Sequence, residues 1–128
     1  MIKYFSILLI TFCFSLNVHS RNTDEFLYES CLVAKKVAFG DKLITEESDN
    51  AARYGYCIGV LQSVMDINSF LSAQNDNETL FCQPNERVTN DELVKIFIHH
   101  VDQNPEQAKL PEVETVLNSY KDIFKCKK

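Results

Sequence analysis

The stretch of residues 51–71, AARYGYCIGVLQSVMDINSFL, constrains the fold most, because its apolar residues recur at steps of three and four. Gly55 and Gly59 lie one turn apart in it, where each costs about 1 kcal/mol relative to alanine. We interpret both glycines as places where another backbone comes close, and we predict a central helix that other segments nearly surround. The predicted buried rows are Ala52, Tyr56, Val60, Val64, Ile67 and Leu71, and beside them Cys57, Leu61 and Met65.

Residues 1–20 have the pattern of a secretory signal peptide. Lys3 precedes an apolar run over residues 5–14, and the small residue Ser20 ends the segment. We expect cleavage after Ser20, which leaves residues 21–128 as a single exported domain. The run is short for a membrane anchor.

Lipidation at Cys13 is a further alternative to cleavage after Ser20. The bulky Phe12 precedes this cysteine, where a lipoprotein signal requires a small residue.

The remaining cysteines are Cys31, Cys57, Cys82 and Cys126. Four cysteines in a small exported domain indicate two disulfides. A zinc site is the competing interpretation, but zinc ligands are usually found as close pairs, and these four are far apart in the sequence.

Three further helices are predicted. The first spans residues 24–39, with Thr23 as its cap and Gly40 as its left-handed stop. The third begins with the capping box Thr89-Asn90-Asp91-Glu92 and ends near Asn104, before Pro105. The fourth begins near Pro111, and residues 41–49 and 72–88 are polar connectors. No strand alternation competes, so the sequence predicts an all-α bundle of about four helices.

An up-down-up-down arrangement of these helices fixes the disulfide pairing. Cys31 precedes the end of the first helix by about the distance that Cys57 follows the start of the second, so the two are level. Cys82 comes before the third helix and Cys126 ends the fourth, so both lie at one end of the bundle. The topology therefore predicts Cys31–Cys57 and Cys82–Cys126.

Composition and motifs argue against catalysis and against nucleic-acid binding. The 128 residues are 45% hydrophobic, enough for one core, and carry a formal charge of −5. Loss of residues 1–20 removes Lys3 and no acid, so the mature chain is one unit more negative. A nucleic-acid partner needs a basic face. The sequence has neither Gly-x-Ser-x-Gly nor a glycine-rich phosphate loop, so we expect no enzyme and no cofactor.

His99, His100 and Asp102 are the best candidates for a metal site. Adjacent histidines on a helix point about a hundred degrees apart, so they rarely share one ion. His99 and Asp102 are correctly spaced, but two ligands are too few. We therefore expect no metal and interpret these residues as the polar end of a helix.

Four motifs together resemble the Rap/Tai immunity proteins of bacterial type VI secretion. They are Tyr54-Gly55-Tyr56-Cys57-Ile58-Gly59-Val60, Phe81-Cys82-Gln83-Pro84, Asn104-Pro105-Glu106 and Phe124-Lys125-Cys126. The resemblance extends from about Ala51 to Cys126. Lys125 departs from it, since the family often has proline there, but the cysteine that follows is kept.

The resemblance implies a small, exported, helical protein that is often a homodimer. Such proteins neutralise a peptidoglycan amidase that a neighbouring cell delivers into the periplasm. The amidase resembles cysteine peptidases, and the immunity protein blocks its substrate cleft. Two other functions stay open from the sequence: a periplasmic enzyme or metal carrier, and a helical adaptor with another target.

The connector 72–88 is the best candidate for the inhibitory element, because its tip is too polar to be buried and its end returns to the core. The acidic residues around it would create a negative field that attracts a basic partner. The predicted effector-binding residues are Gln74, Asn75, Asp76, Glu78, Glu86 and Asp91. An inert surface loop is the alternative interpretation.

Processing of the N-terminus can be tested by mass measurement of protein from the periplasm. We expect a chain that begins at Arg21, since the apolar run followed by Ser20 matches a cleavable signal. Retention of residues 1–20, or a lipid on Cys13, would contradict this.

Overall fold

The computed structural model describes residues 25–38, 40, 48–75 and 79–126. These ranges contain four α-helices, a short 3-10 helix and no strand, which confirms the predicted all-α fold. The α-helices are α1 Phe26–Ala38, α2 Ser48–Gln74, α3 Asn90–Gln103 and α4 Glu112–Ile123, and the 3-10 helix is Pro105–Lys109. The predicted signal peptide and the cap at Thr23 lie outside the described residues.

The ends of the helices follow the local sequence signals. Gly40 has a φ of 91°, and its N–H donates to the Val37 carbonyl, so the left-handed stop after α1 is confirmed. Thr89 and Glu92 form the predicted capping box at the start of α3. Asn104 ends that helix, and the 3-10 helix begins at Pro105.

The core lies between α2 and the other three helices. Cys31 and Cys57 form a buried disulfide between α1 and α2, and Cys82 and Cys126 form an exposed one, so both predicted pairs are confirmed. Tyr120 of α4 packs edge-on against Phe81 with ring centroids 5.4 Å apart. Burial raises the pKa of Tyr120, so its hydroxyl stays protonated and donates to the Leu61 carbonyl at 3.0 Å. The buried apolar residues are Leu27, Cys31, Ala34, Cys57, Leu61, Val64, Phe81, Leu93, Val94, Phe97, Ile98, Val101, Val116 and Tyr120.

Two tyrosines connect helices near the surface. Tyr28 of α1 donates to Asp102 of α3 at 2.6 Å, and Tyr56 of α2 donates to Glu112 of α4. Burial, and then the Glu112 carboxylate, raise the pKa of Tyr56 to about 12, so its phenol remains a donor at neutral pH. Glu112 of α4 contacts Tyr56, and the later residue Tyr120 contacts the later residue Leu61. The helices α2 and α4 therefore run in the same direction.

The prediction of a nearly surrounded α2 is wrong. Only one stripe of this helix is buried, formed by Cys57, Leu61, Val64 and Asn68. Tyr56, Ile67 and Phe70, of which the first two belonged to a predicted buried row, are 37%, 49% and 64% exposed. The physical reason is length: α2 has 27 residues and spans about 40 Å, whereas each partner helix has 12 to 14.

The prediction of a close backbone approach at Gly55 and Gly59 is also wrong. A Cβ built on either glycine would meet no atom within 4 Å outside its own surroundings in the helix. Both glycines, together with Ala52, lie on the exposed side of α2. Their small size therefore leaves a flat, uncovered strip rather than a packed helix crossing.

Replacing a disulfide by two alanines should lower the free energy of unfolding more for the buried bridge than for the exposed one. Chain entropy assigns about 3.5 kcal/mol to the loop of Cys31–Cys57 and about 4 kcal/mol to that of Cys82–Cys126. C31A/C57A also leaves a cavity, since both cysteines are fully buried. We expect it to lower the free energy of unfolding by about 5 kcal/mol, against about 4 kcal/mol for C82A/C126A. Urea titration measures both values, and a larger loss in C82A/C126A would contradict the structure.

Candidate functional site

The predicted effector-binding residues flank the connector between α2 and α3. Gln74 is the last residue of α2, and Asn75 follows it with its N–H bonded to the Leu71 carbonyl. Glu86 is exposed ahead of α3, and Asp91 is exposed in the first turn of that helix. Asp76 and Glu78 lie outside the described residues.

Residues 80–88, here called the return leg, have no regular secondary structure and are held by α2. The side chain of Asn68 makes three hydrogen bonds to this leg. Its Oδ1 accepts from the N–H of Leu80 at 2.8 Å and of Phe81 at 3.2 Å, and its Nδ2 donates to the Phe81 carbonyl at 3.0 Å. Asn68 is 1% exposed, so these bonds form away from water, where an unmade bond is expensive.

The next two residues of the return leg are held as well. The Cys82 N–H donates to the Phe124 carbonyl at 2.9 Å, and its side chain is bonded to Cys126. Gln83 donates to the Met65 carbonyl at 3.3 Å and accepts from the Ser69 hydroxyl at 3.1 Å. The beginning of the return leg is thus fixed to α2 on one side and to the end of α4 on the other.

Beyond Gln83 the return leg separates two open grooves. A groove of about 340 Å³ lies on the α2 side, with Met65, Asp66 and Ser69 in its wall. A groove of about 280 Å³ lies on the side of α3, with Glu92, Lys95 and Ile96 in its wall. Residues Pro84, Glu86, Arg87 and Val88 line both grooves. These four residues therefore form a ridge with a groove on each side.

The charge on this ridge and in the adjoining first turn of α3 is mixed. Glu86, Asp91 and Glu92 supply acid, but Arg87 lies among them and Lys95 lines the neighbouring groove. The Thr89 N–H and hydroxyl both donate to the Glu92 carboxylate and hold its pKa below the usual value. Glu92 is therefore committed to capping α3, and Glu86 and Asp91 are the acids that remain for a partner among the predicted residues described here.

Two residues of this region, Asn68 and Arg87, had no predicted role. The burial of Asn68 was predictable from the sequence, since Asn68 continues the stripe of Cys57, Leu61 and Val64 by one further turn. A polar residue in a buried stripe requires hydrogen-bond partners, and the irregular segment after α2 can supply them. Arg87 is one basic residue among several acids and carries no comparable pattern.

The three candidate metal ligands lie in different environments. His100 is buried and its Nδ1 lies 2.9 Å from Asp122, whereas His99 is exposed and Asp102 accepts the hydrogen bond from Tyr28. Over residues 25–38, 40, 48–75 and 79–126, no group of three His, Cys, Asp or Glu side chains is arranged to hold a metal ion. In the same ranges no helix combines the length and apolar character needed to cross a membrane.

Comparison with models of protein families gives a match over most of the chain. The family model described as Rap1a immunity proteins matches residues 23–126, which include all four helices and both disulfides. Comparisons with curated proteins and with solved structures found no significant match.

Proposed function

We infer that this chain, which belongs to the Rap1a immunity protein family, is a periplasmic immunity protein that inhibits a peptidoglycan amidase effector of type VI secretion. It would do so by blocking the active-site cleft of the amidase. The observation that carries the proposal is the family match over residues 23–126. The return leg is fixed to α2 and α4 and has a groove on each side, so its shape suits insertion into a cleft.

Preorganisation of the return leg supports a cleft-blocking role. A segment without regular structure normally loses conformational freedom when it binds, and this loss weakens affinity. Here Asn68, Cys82 and Gln83 hold the segment before any partner arrives. The ridge at Glu86 and Arg87 would therefore enter a cleft at a small entropic cost.

In the proposed function, the protein acts by binding the amidase and is not itself an enzyme. All four cysteines of the described residues are in disulfides, so none of them offers a thiol nucleophile. The two disulfides also suit an oxidising compartment such as the periplasm. The alternatives of a helical adaptor or a metal-binding protein lack a comparable observation, and metal content of the purified protein would distinguish the latter.

Inhibition and its dependence on charge can be tested with purified type VI peptidoglycan amidases. We expect one amidase to be inhibited at equimolar ratio, and its association rate to fall about tenfold in E86K/D91K, because reversed charge removes electrostatic attraction. This difference should shrink at high salt. The matched control is E106K/E114K, which makes the same charge change on exposed residues of the 3-10 helix and α4.

Circular dichroism of both variants checks that the fold is kept. Equal association rates for E86K/D91K and E106K/E114K would show that the ridge is not the inhibitory surface. Absence of inhibition across amidases that a secreting strain delivers would contradict the proposed function itself.

We also propose that the protein is a homodimer, and the uncovered side of α2 supports this. Ala52, Tyr56, Gly59, Ser63, Ile67 and Phe70, here called the outer strip, follow one another at steps of three and four and include no charged residue. An acidic chain that meets its own copy repels it wherever acids face each other. An uncharged strip about 27 Å long avoids that repulsion.

The outer strip is also complementary to itself. Two copies of α2 that cross antiparallel about its midpoint bring Phe70 opposite Ala52, and Ile67 opposite Gly55. Phe70 and Ile67 then each face a small residue, Tyr56 is level with Asp66, and Gly59 and Ser63 face each other near the axis. Each of these pairs occurs twice, once from either copy, which makes the contact isologous.

Gly59→Arg tests the dimer. Gly59 is exposed with space around it, so arginine should leave the monomer folded and place two like charges near the axis. We expect sedimentation velocity at micromolar concentration to show a dimer for the natural protein and a monomer for G59R. Ala51→Arg, on the same helix but off the strip, is the matched control and should stay dimeric. A monomeric natural protein, or a dimeric G59R, would contradict the proposal.

A further inference from the structure

Asn68 satisfies three backbone groups of a segment that has no regular structure. A side-chain amide has two donor hydrogens and an oxygen that accepts twice. Asn68 uses both acceptor positions on the consecutive N–H groups of Leu80 and Phe81, and one donor on the Phe81 carbonyl. Bonding on both sides of one residue fixes the orientation of its peptide planes as well as its distance from α2.

The position of Asn68 in α2 is otherwise apolar. The preceding members of the buried stripe are Cys57, Leu61 and Val64, and a leucine at 68 would continue the stripe and favour the helix more. Such a leucine would leave three polar groups beside the buried Phe81 ring without partners. The asparagine therefore serves the return leg and not the helix that carries it.

We propose that Asn68 is a positioning residue for effector binding, and this inference rests on the proposed function. It fixes Leu80 and Phe81, the bonds at Cys82 and Gln83 extend that anchor, and the ridge at Glu86 follows three residues later. Asn68 is buried and touches no partner itself. It acts by presenting the ridge in one conformation.

Three variants test the inference against the amidase that the natural protein inhibits. N68L removes all three hydrogen bonds and keeps the apolar stripe. N68D keeps an oxygen acceptor for the N–H groups of Leu80 and Phe81. Asn118→Leu is the matched control, because it removes a hydrogen bond from α4 to Gln107 and none to the return leg, and Asn118 lines neither groove. Urea unfolding checks the global fold of each.

For N68L we expect amide hydrogen exchange at Leu80 and Phe81 to accelerate about a hundredfold, since both N–H groups lose their acceptor. Inhibition of the amidase should weaken about tenfold or more, since a loosened leg must be ordered on binding. N118L should change neither quantity.

N68D supplies a readout that a merely structural role would not move. Its carboxylate faces the Phe81 carbonyl and repels it, whereas the protonated carboxyl donates to that carbonyl as the natural amide does. We therefore expect exchange protection at Phe81, corrected for intrinsic rates, to recover as the pH is lowered from about 7 to about 4. N68L should show no such recovery, and N68D decides the case if N68L does not fold.

The outcomes separate this inference from the proposed function. Protection at Leu80 and Phe81 that stays natural in N68L, or no recovery in N68D, overturns the role of the hydrogen bonds. Lost protection with unchanged inhibition overturns the link from the leg to the effector and leaves the proposed function standing. Failure of the natural protein to inhibit any amidase contradicts the proposed function, while the exchange results still report on the anchor.

Discussion

The single buried stripe of α2 joins most of this domain together. Within twelve residues it presents Cys57 to the disulfide with α1, the Leu61 carbonyl to Tyr120 of α4, and Asn68 to the return leg. Each of these contacts is directional and lies in the core, where an unmade covalent or hydrogen bond costs most. In a small domain with a limited apolar core, such contacts fix how the segments are arranged.

This arrangement links architecture to function. The buried stripe uses one side of α2 for packing, which leaves the outer strip exposed, where we propose that a second copy binds, and the end of the helix for the connector to α3. The return leg crosses the end of the bundle, held between Asn68 and the Cys82–Cys126 bridge. An exposed ridge on a rigid base is suited to competitive occupation of a cleft, because little order must be gained on binding.

Local chemistry made much of the fold predictable. The capping box at Thr89, the positive φ of Gly40 and the helix end before Pro105 depend on a few neighbouring residues, and the sequence shows them directly. The disulfide pairing followed from helix direction. What the sequence does not show is how many neighbours a helix has. Apolar residues border the buried stripe of α2, so Tyr56 and Ile67 have the periodicity of core residues although both are more than a third exposed.

The candidate site was predictable only in outline, since its acids are local in sequence but its shape depends on the distant contact between Asn68 and Phe81. The most direct test of cleft blocking is the rate at which a small alkylating reagent modifies the catalytic cysteine of the amidase, with and without equimolar immunity protein. We expect alkylation to slow strongly in the complex, because the ridge occupies the cleft. Formation of a stable complex whose catalytic cysteine is alkylated at the rate of the free amidase would contradict cleft blocking.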